Sequence, residues 1–430
     1  MIRLRYVALA LLALSGLVGC GNKGDPAPPP TSGLQAAPGD GHVVVSWTDD
    51  LSVDYWLFVS TDPNLTSDNF TTLTDIRVIR NVRSPYVLCG YPNGRTLYLA
   101  MNGRTGGGPG GPGTPTINTT LRVAGDVWTA GTAPAEDFTA LAFAPTILCG
   151  GNSLPSGIFV AVGPNATIAD SIDGNTFTAT PAPIGFSTDL NSVVGFTFNS
   201  GTLTVRFVAV GAGGASILSP DGANWSVGAP FDGSAPTLRG VAVNLGTFLA
   251  VGDGGAAQTS PDGITWTPRA SGVTANLQGI GCSGDRCIAV GDGGTIIRTL
   301  DNGTTWEVQQ TSGLPTLRKV IFGNFNNNLG APVININTWL AVGDAGTVAY
   351  SLDGGATWTA TTVPGAGDFV SVSYLTRFIA IDNFGTSFAS ADGQSWTGGA
   401  PTGLAGQGGL VTTGIGYVGI GAGGATVSSF

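Results

Sequence analysis

A short aspartate turn recurs six times in the larger, C-terminal part of the chain, and that recurrence limits the possible folds more than any other feature. It reads Ser171-Ile172-Asp173-Gly174 with Phe177, Ser219-Pro220-Asp221-Gly222 with Trp225, Ser260-Pro261-Asp262-Gly263 with Trp266, and Thr299-Leu300-Asp301-Asn302-Gly303 with Trp306. The last two are Ser351-Leu352-Asp353-Gly354-Gly355 with Trp358 and Ser390-Ala391-Asp392-Gly393 with Trp396. A period of about 40–50 residues points to a propeller or a solenoid. An apolar strand closed by a turn residue accompanies each copy: Phe159 to Gly163, Phe207 to Gly211, Phe248 to Gly252, Cys287 to Gly291, Trp339 to Gly343, Phe378 to Asp382 and Tyr417 to Gly421. Seven strands stand against six turns. The seventh repeat stops at Val427-Ser428-Ser429-Phe430, while an orphan Val127-Trp128 opens the region. A strand around Trp128 that completes the last blade closes the count at seven four-stranded blades over residues 124–430. Closure is favoured because an open array leaves unpaired strand edges. Trp128, Phe177, Trp225, Trp266, Trp306, Trp358 and Trp396 then supply one blade-core aromatic each.

The unit Ser-x-Asp-(x)-Gly-x-x-Trp resembles the Asp-box, or BNR repeat, of sialidases and many non-enzymatic propellers. Thr299 to Trp306 and Ser351 to Trp358 match at full length, and four copies lack one turn residue. Its chemistry is local: Asp173, Asp221, Asp262, Asp301, Asp353 and Asp392 accept bonds from turn amides, glycine supplies a positive φ, and the aromatic packs between blades. These are structural residues, and a tryptophan-to-alanine change is expected to cost about 3–5 kcal/mol.

A second series, Gly252-Asp253-Gly254-Gly255, Gly291-Asp292-Gly293-Gly294 and Gly343-Asp344-Ala345-Gly346, falls between the second and third strands, on the face that carries blade-to-blade loops. Asp253, Asp292 and Asp344 are the candidate binding face, an acidic arc suited to a cationic group. The bland alternative is ordinary hairpin chemistry, in which Asp-Gly is a preferred pair. Over residues 125–430 the chain resembles the photosystem II assembly and stability factors, which implies a protein-binding scaffold without catalysis or cofactor. The basic peptide-binding patch of that family has no counterpart among these motifs. A carbohydrate-binding adhesin is the alternative. A sialidase-type glycoside hydrolase is a weaker one, since it needs an arginine triad and a tyrosine paired with glutamate. The propeller region offers only Glu136 and Glu307, with seven scattered arginines. The lone histidine, His42, lies outside it, which argues against a Ser-His-Asp hydrolase and a zinc site.

Upstream, Val43-Val44-Val45-Ser46-Trp47, Tyr55 to Ser60 and Asn93 to Met101 read as strands bounded by turn residues. The stretch 33–123 resembles a fibronectin type III module, which implies a β-sandwich with Trp47 in its core and Tyr98 making a corner hydrogen bond. The expected fold class is therefore all-β, a propeller preceded by a sandwich.

Arg3 and Arg5 precede an apolar stretch, Tyr6 to Leu14, too short to span a bilayer, so residues 1–19 read as a signal peptide. Leu17-Val18-Gly19-Cys20 resembles the lipobox of bacterial lipoproteins. That resemblance implies diacylglycerol on Cys20, a lipid-anchored partner membrane, and, with Gly21 following, outer-membrane sorting. Residues 20–32 hold Pro26, Pro28, Pro29 and Pro30 and read as an extended spacer. The mature chain has 15 basic and 27 acidic side chains, a charge near −12, which speaks against nucleic acid and anionic lipid surfaces as partners. Four cysteines remain, fitting an oxidising compartment. Cys282 and Cys287 flank a hairpin turn and are the best disulfide candidates, while a Cys89–Cys149 pair stays open.

Overall fold

The computed structural model describes residues 26–429, apart from 31–32, 40–41, 90, 92, 146–156, 200–202, 229–234, 310–312, 327–334 and 414–415. Cys20, Cys149 and the signal stretch lie outside the described residues, as does the side chain of Cys89. Regular structure among them is β throughout, joined by turns and single 3-10 turns.

The N-terminal part has seven strands: β1 (Gln35–Pro38), β2 (His42–Ser46), β3 (Asp54–Ser60), β4 (Ile76–Val82), β5 (Tyr86–Cys89), β6 (Thr96–Arg104) and β7 (Ile117–Thr120). They form one sheet in the order β1-β2-β5 and a second in the order β4-β3-β6-β7. Side chains alternate in direction along a strand. Val43 and Val45 of β2 therefore meet Tyr55, Leu57 and Val59 of β3 and Leu97, Leu99 and Met101 of β6 in one shared core. Trp47 closes it, edge-on to Tyr55 with ring centroids 5.6 Å apart. Each fully buried aliphatic there stabilises by about 1.5–3 kcal/mol.

Two expectations change here. Tyr98 points to the opposite face of its sheet, where it packs with Phe58 beneath Leu65, Phe70 and Leu73. The proline-rich stretch is also not all spacer. Ala27 is 1% exposed and belongs to the shared core, and Pro26 bridges Arg104 in antiparallel fashion. Gly103 and Gly111 make room for it, since a Cβ on either would collide with Ala27 or its carbonyl.

From residue 129 the described residues form seven four-stranded sheets, a β-propeller. The short strand β8 (Thr129–Ala130) precedes the first sheet, which runs from β9 (Ala140–Pro145) through β10 (Gly157–Val162) and β11 (Ile168–Ser171) to β12 (Thr178–Ala179). Later sheets repeat this meander from inner strands that begin at Leu190, Leu238, Leu277, Leu317 and Phe369. In the last sheet Gly408–Thr412, Tyr417–Gly421 and Thr426–Ser429 are joined at the outside by β8, with Ser428 opposite Thr129. Each inner strand touches the next in chain order, and Gly408–Thr412 touches β9. A channel of about 510 Å³ runs between them.

Candidate functional site

The six aspartate turns share one hydrogen-bond pattern. In the second sheet the buried Ser219 hydroxyl accepts from the Gly222 amide at 2.8 Å and donates to Asp221 Oδ1 at 3.1 Å. Asp221 Oδ1 also accepts the amides of Ala223 and Asn224 at 3.0 and 2.7 Å. Gly222 needs its positive φ of 80°, and a Cβ there would strike Ile158 of the preceding sheet. The turn thus fastens one blade to another. The Asp221 carboxylate is engaged within the turn itself, by Ser219, Ala223 and Asn224.

A seventh turn is assembled from distant parts of the chain. The Gly125 amide donates to Ser429 Oγ at 2.8 Å, the bond that box glycines make elsewhere, and Trp128 follows Gly125 at the box spacing. Its aspartate is missing, and the Ser429 hydroxyl donates to the Val127 carbonyl at 2.5 Å instead.

The box aromatics sit between consecutive sheets. Trp225 packs on residues of the first and second, Trp266 on the second and third, Trp306 on the third and fourth, and Trp358 on the fourth and fifth. Trp396, Trp128 and Phe177 continue around the ring. Phe177 is buried, and the six tryptophans are partly buried wedges packed against the cores of two neighbouring sheets. The fully enclosed position is the one four residues before the glycine or aspartate that closes each second strand: Phe159, Phe207, Phe248, Cys287, Trp339, Phe378 and Tyr417, all at most 3% exposed. Each lies directly across from the box hydroxyl residue, as Phe207 does from Ser219. In the fourth sheet Cys287 is disulfide-bonded to Cys282 opposite it.

The second aspartate series also behaves differently from an acidic arc. Asp253 is ion-paired with Arg239, and Asp344 accepts from Arg318 Nε at 2.5 Å. Asp292 accepts from Asn276 Nδ2 and Gln278 Nε2 at 2.9 and 2.7 Å. Asp253 and Asp344 are thus each met by an arginine, while Asp292 is held by two neutral amides and keeps its negative charge. What they position is a set of side chains at the channel end. Register shifts after Leu190, Leu238, Leu277 and Leu317 each make a β-bulge, and bulges re-aim side chains. The bulged residues are Asn191, Arg239, Gln278 and Arg318.

These four and Lys319 line a cavity of about 120 Å³ at the channel mouth. Lys319 makes no ion pair among the described residues, whereas both arginines beside it do. Desolvation pulls its ammonium below the usual lysine pKa. A partly buried cation without an ion pair of its own costs free energy, and an incoming anion recovers part of it. Lys319 is therefore the one cation of the mouth whose charge no carboxylate partner meets among the described residues. The sequence signal of the mouth was the recurrent Leu-x pair that opens four of the inner strands, with arginine at x in two of them. Glu307 is held by Arg298 at 2.7 Å, and Glu136 is exposed on the approach to β9. Among the described residues no group of three or more His, Cys, Asp or Glu side chains is placed to hold a metal ion, and no helix is long and apolar enough to cross a membrane.

Solved structures with this geometry exist. YCF48 bound to a D1 peptide superposes with a TM-score of 0.53 at 16% identity, over 70% of this chain and 96% of that one. The likeness is one of fold. YCF48 from Cyanidioschyzon merolae gives 0.51 at 15% identity, over 70% and 98%, and the WD40 propeller of Doa1 gives 0.51 at 9%, over 71% and 97%. No family model matches the sequence, and no curated protein matches it. The propeller thus resembles photosystem II assembly factors and WD40 scaffolds in architecture.

Proposed function

We propose that this chain is a non-catalytic binding protein of the bacterial envelope, held at the outer membrane by diacylglycerol on Cys20. A fibronectin type III-like module connects the anchor to a seven-bladed propeller closed by β8 and Thr426–Ser429. The mouth at Lys319 receives an acidic segment of a protein partner. Lys319 carries this reading: it is a partly buried ammonium with no ion pair of its own among the described residues, flanked by Arg239 and Arg318, whose charges are met by Asp253 and Asp344. A propeller of similar fold solved with a peptide bound supports it.

The test is capture from envelope extracts by the wild-type chain, Lys319→Gln and Lys319→Glu, with a photo-crosslinker at Gln407 to map the contact. Salt-sensitive capture that weakens in Lys319→Gln, vanishes in Lys319→Glu and crosslinks through Gln407 is expected. Capture indifferent to Lys319 would refute the mouth as the site. Ligands found only on a glycan array would favour the adhesin, and sialoside turnover abolished by Glu136→Gln would favour the hydrolase.

A further inference from the structure

The outer face of the β4-β3-β6-β7 sheet carries a cluster that the propeller does not use. Trp56 of β3 lies beneath two guanidinium groups, Arg104 at 3.4 Å and Arg80 at 4.4 Å from its ring centroid. The register explains the meeting: Trp56 pairs with Arg80 on β4 and with Asn102 on β6, and Arg104 follows two residues on. Asn102 is buried and accepts from Arg104 Nη1 at 3.0 Å, which fixes that side chain over the indole. Neither arginine has a carboxylate partner among the described residues. Asp54 lies opposite Arg104 in the register but faces Arg83 at 3.8 Å. Two cations gathered on one half-buried ring repel each other, and their fork donors suit a phosphate.

The second observation is where the tether leaves. Pro26, the first described residue, is bridged to Arg104 itself. Cys20 lies six residues earlier, a reach of about 20 Å even when fully extended. Tryptophan and arginine are also the side chains that sit well at a membrane surface, with an apolar body and a polar end.

We propose that Arg80, Trp56 and Arg104 form a phospholipid headgroup contact that lays the N-terminal module against the membrane carrying its anchor. The geometry rests on acylation of Cys20 as proposed above, and the lipid contact is testable without it. The full mature chain with Cys20→Ser, which cannot be acylated, is titrated with vesicles of phosphatidylethanolamine and phosphatidylglycerol at low salt. Binding is expected to weaken about five-fold for each of Arg80→Gln and Arg104→Gln. Quenching of tryptophan fluorescence by brominated phosphatidylglycerol is expected in that chain and reduced in Trp56→Phe. Arg80→Lys, which keeps the charge, should bind nearly as wild type and guards against loss of fold. Absence of vesicle binding, or binding unchanged in the double arginine variant, overturns the proposal. Acyl labelling of Cys20 in envelopes is scored separately, so failure of the anchor and failure of the lipid contact give different results.

Discussion

Asp353 uses both carboxylate oxygens to hold its turn. Burial by itself raises its pKa, but bonds from the Thr357 hydroxyl and amide, the Ser351 hydroxyl and the Ala356 amide outweigh that and bring it to about 2. The other five box aspartates are shifted in the same direction. A carboxylate with a depressed native pKa stabilises above its unfolded value near 4, and that contribution is lost as pH falls toward 2. Stability should therefore be level above about pH 4.5 and decline below it. In Asp353→Asn that acid slope becomes shallower, as followed by denaturant titration across pH. Ser219→Ala strands the buried Gly222 amide and should cost about 1–3 kcal/mol by the same measurement. The boxes were legible in the sequence because all their partners fall within an eight-residue window. The Arg239–Asp253 and Arg318–Asp344 pairs were not, because they depend on strand register and on bulges that no local pattern announces.

At the level of the hairpin, the blades fill one position in different ways. Phe143 stacks near Phe159, Phe322 near Trp339 and Tyr374 near Phe378, with centroids 4.6, 5.2 and 4.7 Å apart. In the second sheet Phe207 faces Gly195, where a Cβ would touch its ring at 2.7 Å. The fourth sheet uses the Cys282–Cys287 disulfide in the same place. The double change Cys282→Gly with Cys287→Phe copies the second sheet, and should give a Tm that no longer responds to reductant. Wild type should lose stability when reduced. Burial also reorders the expected cost of aromatic deletion. Within a range of about 3–5 kcal/mol, Phe248→Ala, at a fully enclosed site, should fall at the upper end and Trp266→Ala, at a partly buried one, at the lower end. Equal losses in chemical denaturation would contradict this ranking. The sequence identified one aromatic per repeat from spacing. It could not rank the two aromatic series by depth, because both follow the same period.

For the whole molecule, the count of seven strands against six turns was itself the sequence signal for a ring, since the unmatched pieces lay at Val127-Trp128 and Ser429. The N-terminal boundary was less legible, because prolines suited to a free spacer are equally suited to a strap against a sheet, as Ala27 shows. Arg377 reinforces the junction, donating to the Ala124 carbonyl at 2.8 Å and to Asp126 at 2.5 Å. Deleting Val427–Phe430 should remove both the outer pairing of β8 and the acceptor of Gly125, and convert a single melting transition into a broad, early one by calorimetry.

The turn shared by Gly125 and Ser429 joins residues 304 positions apart. During synthesis the first of these emerges long before the second. Every intermediate length of nascent chain is then an unclasped fan, open to chaperones and proteases on two flanks, and the clasp shuts only once residue 429 has been made. A circular permutant that runs 429 directly into 125, with its ends moved to another rim loop, would shut that clasp locally and should refold faster than the natural order of the chain.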